Sequence, residues 1–519
     1  MRKIPLIIAA AALSVGLLAG CSGAAPASSS SASASSDATA SSAAASSEAA
    51  SSEAAASSEA SSASQAEAKV QSGLVTTKLD MRGYDAGKVV RVWVPVPTNG
   101  DYQTITDEKI DVSGATSSFN EDALGNKMAY IEWSADAKPE DRVASVSFRA
   151  TRTEALRPEF KEDTSENAIP ADISKTYLGS SKMVAVDDPA VVALSEEITK
   201  DKTTVLDRAR AVYDWIYDNM ERDNNVVGCG DGDVCRLIAE DGRAGKCTDI
   251  NSTFVALCRA AGVPAREMFG IRMNEPNITG NQHCWCEFYL PGTGWVPADP
   301  ADVLKAVLND ELAKDSAEAL EKKEYYWGQW DEKRVEYSSG RDLTLEPAQA
   351  GEALNDFGYP YAEVDGKAID YYKPEEFIYS VSFLADSVVD AGVKEVNVPM
   401  NYIKAADLQA AIEAKDDSKV ILDLRKAEDY KASHIPGSVS VSMDSAVSAS
   451  DYATALADMT KSLGEIGKDK ELVLVCYTGK KYAQAATDVL NALGYDMSKV
   501  FTLEGGFTGW TEAKMPVES

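Results

Sequence analysis

The sequence predicts a multidomain chain: a β-rich N-terminal domain, an α+β core, and a C-terminal α/β domain built on a parallel sheet. Three patterns predict it. Between residue 69 and about 165, apolar residues recur at every second position, as in half-buried strands. Between about 206 and 300, two amphipathic helical stretches are followed by two short strands. From about 400, short buried strands alternate with helices, which implies a parallel sheet. For a chain of 519 residues, roughly two to four domains are expected. An apolar content of 45% is enough to build sizeable cores.

The N-terminus carries a targeting pattern. Arg2 and Lys3 precede the apolar run Ile4 to Leu18, and small residues lead on to Cys21. The run is too short to span a bilayer comfortably. Leu18-Ala19-Gly20-Cys21 resembles a bacterial lipobox, which implies a signal peptide over 1–20 and lipidation of Cys21. Residues 22 to about 66 are almost all Ser and Ala with occasional Glu, too few apolar groups to offset chain entropy. Residues 21–68 are therefore expected to form a solvated tether, with transient helix permitted by the alanines. The expected location is the outer face of the cell membrane, held by the lipid. The 82 acidic and 51 basic residues give a formal charge of −31. That argues against nucleic-acid binding and against adsorption to anionic lipid by charge. Of eight cysteines, setting aside Cys21 leaves an odd number, so at least one is unpaired.

In the β-rich segment 69–165, Val90, Val92, Val94 and Val96 alternate with Arg91, Trp93 and Pro95, and Asn99-Gly100 marks a turn. Ala144, Val146, Phe148 and Ala150 repeat the pattern. The pattern then becomes helical through Leu206, Ala209, Tyr213, Ile216 and Met220. An acidic, Gly-rich loop, Gly228 to Cys235, precedes Gly245-Lys246-Cys247-Thr248-Asp249, which opens a second helix. Residues 283 to 290 form a strand. One face carries His283, Trp285, Glu287 and Tyr289; the other carries Cys284, Cys286, Phe288 and Leu290. Gly292 and Gly294 turn the chain, and Trp295 to Pro300 returns beside it. Residues 305 to 399 hold an acidic helical piece and the aromatic run Tyr325-Tyr326-Trp327. Beyond 400, Val420 to Leu424 and Glu471 to Val475 are strands, and a helix runs from about Tyr482 to Leu493.

The first chemical constellation is Cys247, His283 and Asp299. A thiol is a nucleophile only as thiolate, and the N-terminus of a helix favours that charge. A nearby imidazole activates the thiol and a carboxylate orients the imidazole, a set suited to attack on an amide or acyl carbonyl. Cys258, Cys284 and Cys286 are expected to be core residues, with pleating aiming Cys284 away from His283. Cys229 and Cys235 leave a disulfide or a plain loop open. With Asp231 and Asp233 they match no standard zinc spacing, so no metal is expected. Gly245-Lys246-Cys247-Thr248-Asp249, Ala261-Gly262-Val263-Pro264-Ala265-Arg266, His283-Cys284-Trp285-Cys286-Glu287 and Gly294-Trp295-Val296-Pro297-Ala298-Asp299-Pro300 together resemble the bacterial transglutaminase-like superfamily. The resemblance implies a papain-like core over 166–310 with Cys247 as nucleophile, His283 as base and Asp299 as orienter. It extends outward from near Trp93 through Gly340-Arg341-Asp342 to Tyr361, so 311–399 is an extension of that family. Peptide, protein or cell-wall peptide is the implied substrate, for hydrolysis or transamidation.

The second constellation is Cys476, at the end of a strand, followed by Tyr477-Thr478-Gly479-Lys480-Lys481 and a helix. Successive backbone N–H groups at a helix start cradle an anion. Leu422-Asp423-Leu424-Arg425, Glu428-Asp429-Tyr430, His434-Ile435-Pro436-Gly437, the Cys476 loop and Leu503-Glu504-Gly505-Gly506-Phe507 with Trp510 resemble rhodanese domains over 400–519. That resemblance implies sulfur transfer through a Cys476 persulfide fed by a small sulfur donor. It implies framework roles for Asp423, Arg425 and His434. Lys481 stands where many members have arginine. No cofactor is required by either thiol chemistry. Two other functions stay open: a sulfurtransferase whose transglutaminase-like part is a scaffold, and a binding lipoprotein in which neither site turns over.

Overall fold

Alternating side chains put Val90, Val92, Val94 and Val96 on one face of the strand Val90–Val96, where they meet Ala129, Ile131 and Trp133 of the strand Lys127–Trp133. In the computed structural model, which describes residues 67–239, 243–449, 451–467 and 469–519, this pair is the centre of a five-stranded sheet. The predicted leader 1–20, the lipidation site Cys21 and all but the end of the tether lie outside the described residues. Facing the first sheet is a four-stranded one, ordered Ile378–Ala385, Val70–Asp80, Val143–Thr153 and Gln103–Val112. Leu79, Ala144 and Val146 fill the space between the two.

Both sheets are finished by strands from far along the chain. Tyr361–Val364 pairs antiparallel with Val90–Val96, and Ile378–Ala385 pairs along most of Val70–Asp80. The β-rich domain therefore does not close within 69–165 as the sequence suggested. The stretch 311–399 supplies its missing strands, and the intervening segment is an insert between the two contributions.

That insert is an α+β core. A four-stranded antiparallel sheet, ordered Gly294–Ala298, Gln282–Leu290, Ala265–Arg272 and Arg334–Ser339, carries the helix Cys247–Ala260 on one face. Ile250, Phe254, Leu257 and Cys258 of that helix pack against Cys284, Cys286 and Phe288 of the sheet, and against Tyr213 and Ile216 of the helix Val205–Asn219. The two helices and the strands Gln282–Leu290 and Gly294–Ala298 match their expected stretches to within a residue or two; Ala265–Arg272 and Arg334–Ser339 were not expected as strands. The region after residue 300 is more ordered than its composition implied, with helices Pro300–Asn309 and Ala317–Tyr325.

The C-terminal domain has five parallel strands ordered Asn401–Ile403, Val500–Leu503, Glu471–Val475, Lys419–Asp423 and Val439–Ser440. Its core extends into the preceding connection. Leu384, Val388, Val393 and Val396 pack with Leu422, Leu472, Ala486 and Val489. Among the described residues no helix is long and apolar enough to cross a membrane.

Candidate active sites

The helix Cys247–Ala260 starts on a tightly built corner. The Asp249 carboxylate accepts from the N–H of Lys246 at 2.9 Å and from that of Gly232 at 3.0 Å. The third residue of the helix thus caps its own beginning and pins the upstream loop. The loop lies so close that a Cβ on Gly230, whose φ is +91°, would sit 2.0 Å from Asp249 Oδ2. Cys247 is the first helical residue, where unpaired N–H groups favour a negative sulfur. It lies in a cleft of about 430 Å³ together with Arg222, Cys229, Gln282, His283 and Tyr359.

Hydrogen bonds from Cys229 and from Cys284 hold the Cys247 thiol well below its ordinary pKa, with His283 adding a further bond and its positive charge, against the opposing effect of burial. The Cys229 and Cys284 thiols are pushed up, chiefly by the bond to Cys247 for Cys229 and by burial for Cys284. Cys247 is the one of the three that takes the negative charge, because it stands at the helix N-terminus and against His283. This corrects one expectation. Pleating does send His283 and Cys284 to opposite faces, but the helix start lies over the strand, and both side chains reach the Cys247 sulfur.

Antiparallel pairing of Gln282–Leu290 with Gly294–Ala298 sets Cys286 opposite Ala298, so Asp299 emerges beside His283. His283 Nε2 lies 2.8 Å from Asp299 Oδ2, which leaves Nδ1 for the thiol. Burial alone would pull the imidazole pKa down; the carboxylates of Asp302 and Asp299 outweigh it and hold it above its ordinary value. Asp299 is fully buried. It also accepts from Asn251 Nδ2 at 3.2 Å, from the Asp302 N–H at 3.1 Å and from Arg334 Nη1.

Around the three predicted residues lies a charge network that sequence reasoning missed. Arg334, fully buried, bonds Asp299, Asp302 at 2.6 Å and Asp331 at 3.0 Å. Arg272 bonds Asp302 and reaches Asp331 at 3.3 Å. Burial raises the Asp302 carboxyl, but Arg272, His283 and Arg334 together hold it far below the carboxylate range. His283, Asp299 and Asp302 cluster as metal ligands would. The two guanidiniums already compensate the carboxylates, so the donor set does not suit a cation. Arg341 has a supporting role: it pairs with buried Glu267 at 2.9 Å and bonds Ser252 on the nucleophile helix at 2.6 Å.

The disulfide left open for Cys229 and Cys235 is not formed, and all seven cysteines among the described residues are free. Cys229 Sγ faces Cys247, lies 3.3 Å from the Gln282 carbonyl and accepts from Tyr359 Oη at 3.2 Å. Cys235 lies in the helix Val234–Ala239 and is not part of the cleft. A second cavity, of about 470 Å³, adjoins the cleft. Tyr359, Tyr371 and Tyr372 line both spaces, and Asp231 and Asp356 line the second.

In the C-terminal domain, buried Cys476 follows the strand Glu471–Val475 directly and precedes the helix Lys481–Ala492. The loop between them closes onto the glycine pair Gly505-Gly506. A Cβ on Gly506 would lie 2.3 Å from the Cys476 carbonyl and 2.7 Å from the Thr478 nitrogen. Phe507 N–H donates to the Cys476 carbonyl at 2.7 Å, and Thr508 N–H to that of Tyr477 at 3.0 Å. Tyr477 Oη bonds Asp429. Lys480 and Lys481 end the loop, and Lys481 Nζ pairs with Glu275 of the α+β core at 3.1 Å. Asp423 pairs with Arg425 at 2.8 Å, and His434 Nδ1–H donates to the Tyr430 carbonyl, 2.9 Å away. These are framework contacts.

The family model described as Transglutaminase-like superfamily matches residues 192–300, and that described as Rhodanese-like domain matches residues 404–513. An uncharacterised protein of Haemophilus influenzae is 36% identical over 311 residues, which is 56% of this chain and 84% of that protein. A thiosulfate sulfurtransferase GlpE of Pseudoalteromonas translucida is 32% identical over 94 residues, 18% of this chain and 74% of that one. A protein-glutamine gamma-glutamyltransferase of Pseudomonas aeruginosa is 33% identical over 89 residues, but these are 15% of this chain and 13% of that enzyme.

Proposed function

The chain belongs to the transglutaminase-like superfamily and ends in a rhodanese-like domain, and from that premise we propose that it is a thiol enzyme acting on amide bonds through Cys247, His283 and Asp299. The observation that carries this reading is the convergence on one buried sulfur of a helix N-terminus and an imidazole held by a carboxylate. The thiolate attacks the amide carbonyl, the imidazolium of His283 protonates the leaving amine, and water or a second amine resolves the acyl-enzyme. The Cys247 backbone N–H, at the helix start, is the donor for the developing oxyanion. Peptide, protein or wall peptide is the substrate class, and the open cleft with its tyrosine-walled neighbour is roomy enough for a chain.

The rhodanese-like domain then acts as a sulfurtransferase, holding a persulfide on Cys476 within the N–H groups of residues 477–481. The Ser/Ala tether and a lipid on Cys21 place both sites outside the cell membrane in this reading.

The test is alkylation of each cysteine across pH, read by peptide mass spectrometry, in wild type and in His283→Ala. An ordinary thiol titrates near about 8.5. Cys247 is expected to react far below that, and to lose this advantage with His283→Ala. If Cys247 behaves as an ordinary or inert thiol, the amide-cleaving reading fails and sulfur handling at Cys476 is left as the activity. Cyanide-dependent sulfur transfer abolished by Cys476→Ala is the corresponding test there.

A further inference from the structure

Two thiols besides Cys247 act on its sulfur, and amide chemistry uses neither as a reacting group. Their settings differ. Cys284 sits within the continuous strand Gln282–Leu290, its sulfur 3.8 Å from Asn251 Nδ2, and it does not line the cleft. Cys229 lines the cleft beside Cys247, on a loop between Gly228 and Gly230, both in the left-handed region at φ +58° and +91°. The two backbones already touch: the Thr248 N–H donates to the Cys229 carbonyl at 2.9 Å, and that carbonyl lies 3.9 Å from Cys247 Sγ.

We propose that Cys247 is a site of reversible oxidation by small hydroperoxides, with Cys229 as the thiol that resolves the oxidised sulfur into an intramolecular disulfide. The proposal rests on the reading of Cys247 as a thiolate. In the first step the thiolate attacks one peroxide oxygen, an S–O bond forms and the O–O bond breaks. The leaving alkoxide or hydroxide takes its proton from the imidazolium of His283. Cys247 becomes a sulfenic acid, oxidised by two electrons, and the peroxide is reduced to alcohol or water. In the second step the Cys229 sulfur attacks the sulfenic sulfur. The S–S bond forms, the S–O bond breaks, and hydroxide leaves as water with the proton of Cys229. A dithiol returns both thiols by exchange.

The same geometry explains why Cys229 waits its turn. The bond to the Cys247 thiolate, burial and the charge of that thiolate all keep Cys229 protonated. Oxidation replaces the thiolate by a neutral sulfenic acid and removes two of those three causes. The Tyr359 hydroxyl remains, donating to the Cys229 sulfur at 3.2 Å and favouring its thiolate. The glycines on either side give the loop the backbone freedom to bring Cys229 into disulfide geometry.

The experiment uses the full chain, reduced and then exposed to hydrogen peroxide, blocked with N-ethylmaleimide, and digested without reduction. The expected result is a Cys229–Cys247 peptide, loss of Cys247 alkylation, and its full recovery with dithiothreitol. In Cys229→Ser, peroxide should leave a dimedone-reactive Cys247 that passes to sulfinic acid and no longer recovers. Cys284→Ser should still give the Cys229–Cys247 peptide. Absence of the linked peptide in oxidised wild type, which needs no variant to fold, overturns the proposal, as does a Cys247–Cys284 link in its place. The untreated arm separates the two readings. If Cys247 alkylates at low pH yet no link forms, the nucleophile stands and the resolving role of Cys229 falls. If Cys247 is an ordinary thiol before any peroxide, the nucleophile reading is what has failed.

Discussion

At the scale of the residue, the site is governed by a fully buried guanidinium. Arg334 neutralises Asp299, Asp302 and Asp331 at once, so Arg334→Met leaves three carboxylates short of one compensating charge. Breaking such a pair costs about 3–5 kcal/mol, and denaturant unfolding should show a loss of that order while the reverse substitution of an exposed ion pair, such as Lys109→Met, shows almost none. Asp302 acts on His283 from 3.6 Å. Because it helps hold the imidazole pKa up, Asp302→Asn should lower that pKa, and the thiolate–imidazolium pair should then be lost at lower pH as the imidazole deprotonates sooner. The chain has two histidines, so a titration of imidazole carbon-bound protons resolves the shift directly; an unmoved His283 resonance would remove Asp302 from the account. Arg334 had no signal in the sequence. It stands 35 residues beyond Asp299, in a strand whose partner is not local, and nothing in its neighbours distinguishes it from a surface arginine. Cys247, His283 and Asp299 were legible because each sits in a run of residues with its own spacing and turn chemistry.

At the scale of the element, the nucleophile helix depends on how its first turn is held. Asp249 supplies that hold through two backbone N–H groups, one on each side of the cleft corner. Asp249→Ala should cost about 1–2 kcal/mol, as removal of a helix cap does, and should slow Cys247 alkylation at low pH because the corner that presents the thiol loosens. Thermal unfolding and the alkylation series check both, and a destabilised variant with unchanged thiol reactivity would separate capping from presentation. The helices Val205–Asn219 and Cys247–Ala260 and the strand Gln282–Leu290 were legible because their periods of 3.6 and 2 are local properties of the chain. The role of Cys284 was not. Period 2 states which face of a strand a side chain takes, but not that the start of a helix will lie over that strand and collect contacts from both faces.

At the scale of the whole molecule, the rhodanese-like domain shares its core with the connection leading into it. Val393 is fully buried there although it precedes the first strand of the domain. Val393→Asp should therefore destabilise the C-terminal domain by several kcal/mol, since an unpaired charge is placed in an apolar core, with early loss of the Cys476 site in a thermal scan. Asp488 gives the same region a pH dependence. Burial, partly offset by bonds from Val398, Gln484 and Asn397, pushes its pKa up to about 7. A raised carboxyl contributes stability below its unfolded pKa and loses it as pH rises to the folded value, so the domain should weaken between about pH 4 and about pH 7 and level off above. Asp488→Asn should flatten that slope in calorimetric scans. The parallel sheet was legible from the alternation of strands and helices. That the β-rich domain is finished by residues 361–385 was not, because strand pairing over such separations depends on the assembled fold, and short strands like Tyr361–Val364 have no period of their own to announce a partner.

The long pairing of Val70–Asp80 with Ile378–Ala385 also sets a timetable. During synthesis the first strand leaves the ribosome roughly three hundred residues before its neighbour exists, an interval of about 15–60 seconds at ordinary elongation rates. For that time one edge of the four-stranded sheet stands open, with its backbone N–H and carbonyl groups offered to any other extended chain. The catalytic insert is translated within this interval, so it can fold before the frame around it has closed. The rhodanese-like domain comes last, docking onto a connection that is ordered only once Ile378–Ala385 has taken its place. A nascent chain stalled before residue 378 should then be the species most in need of a holdase, and release of that dependence on passing residue 385 would mark the moment the frame shuts.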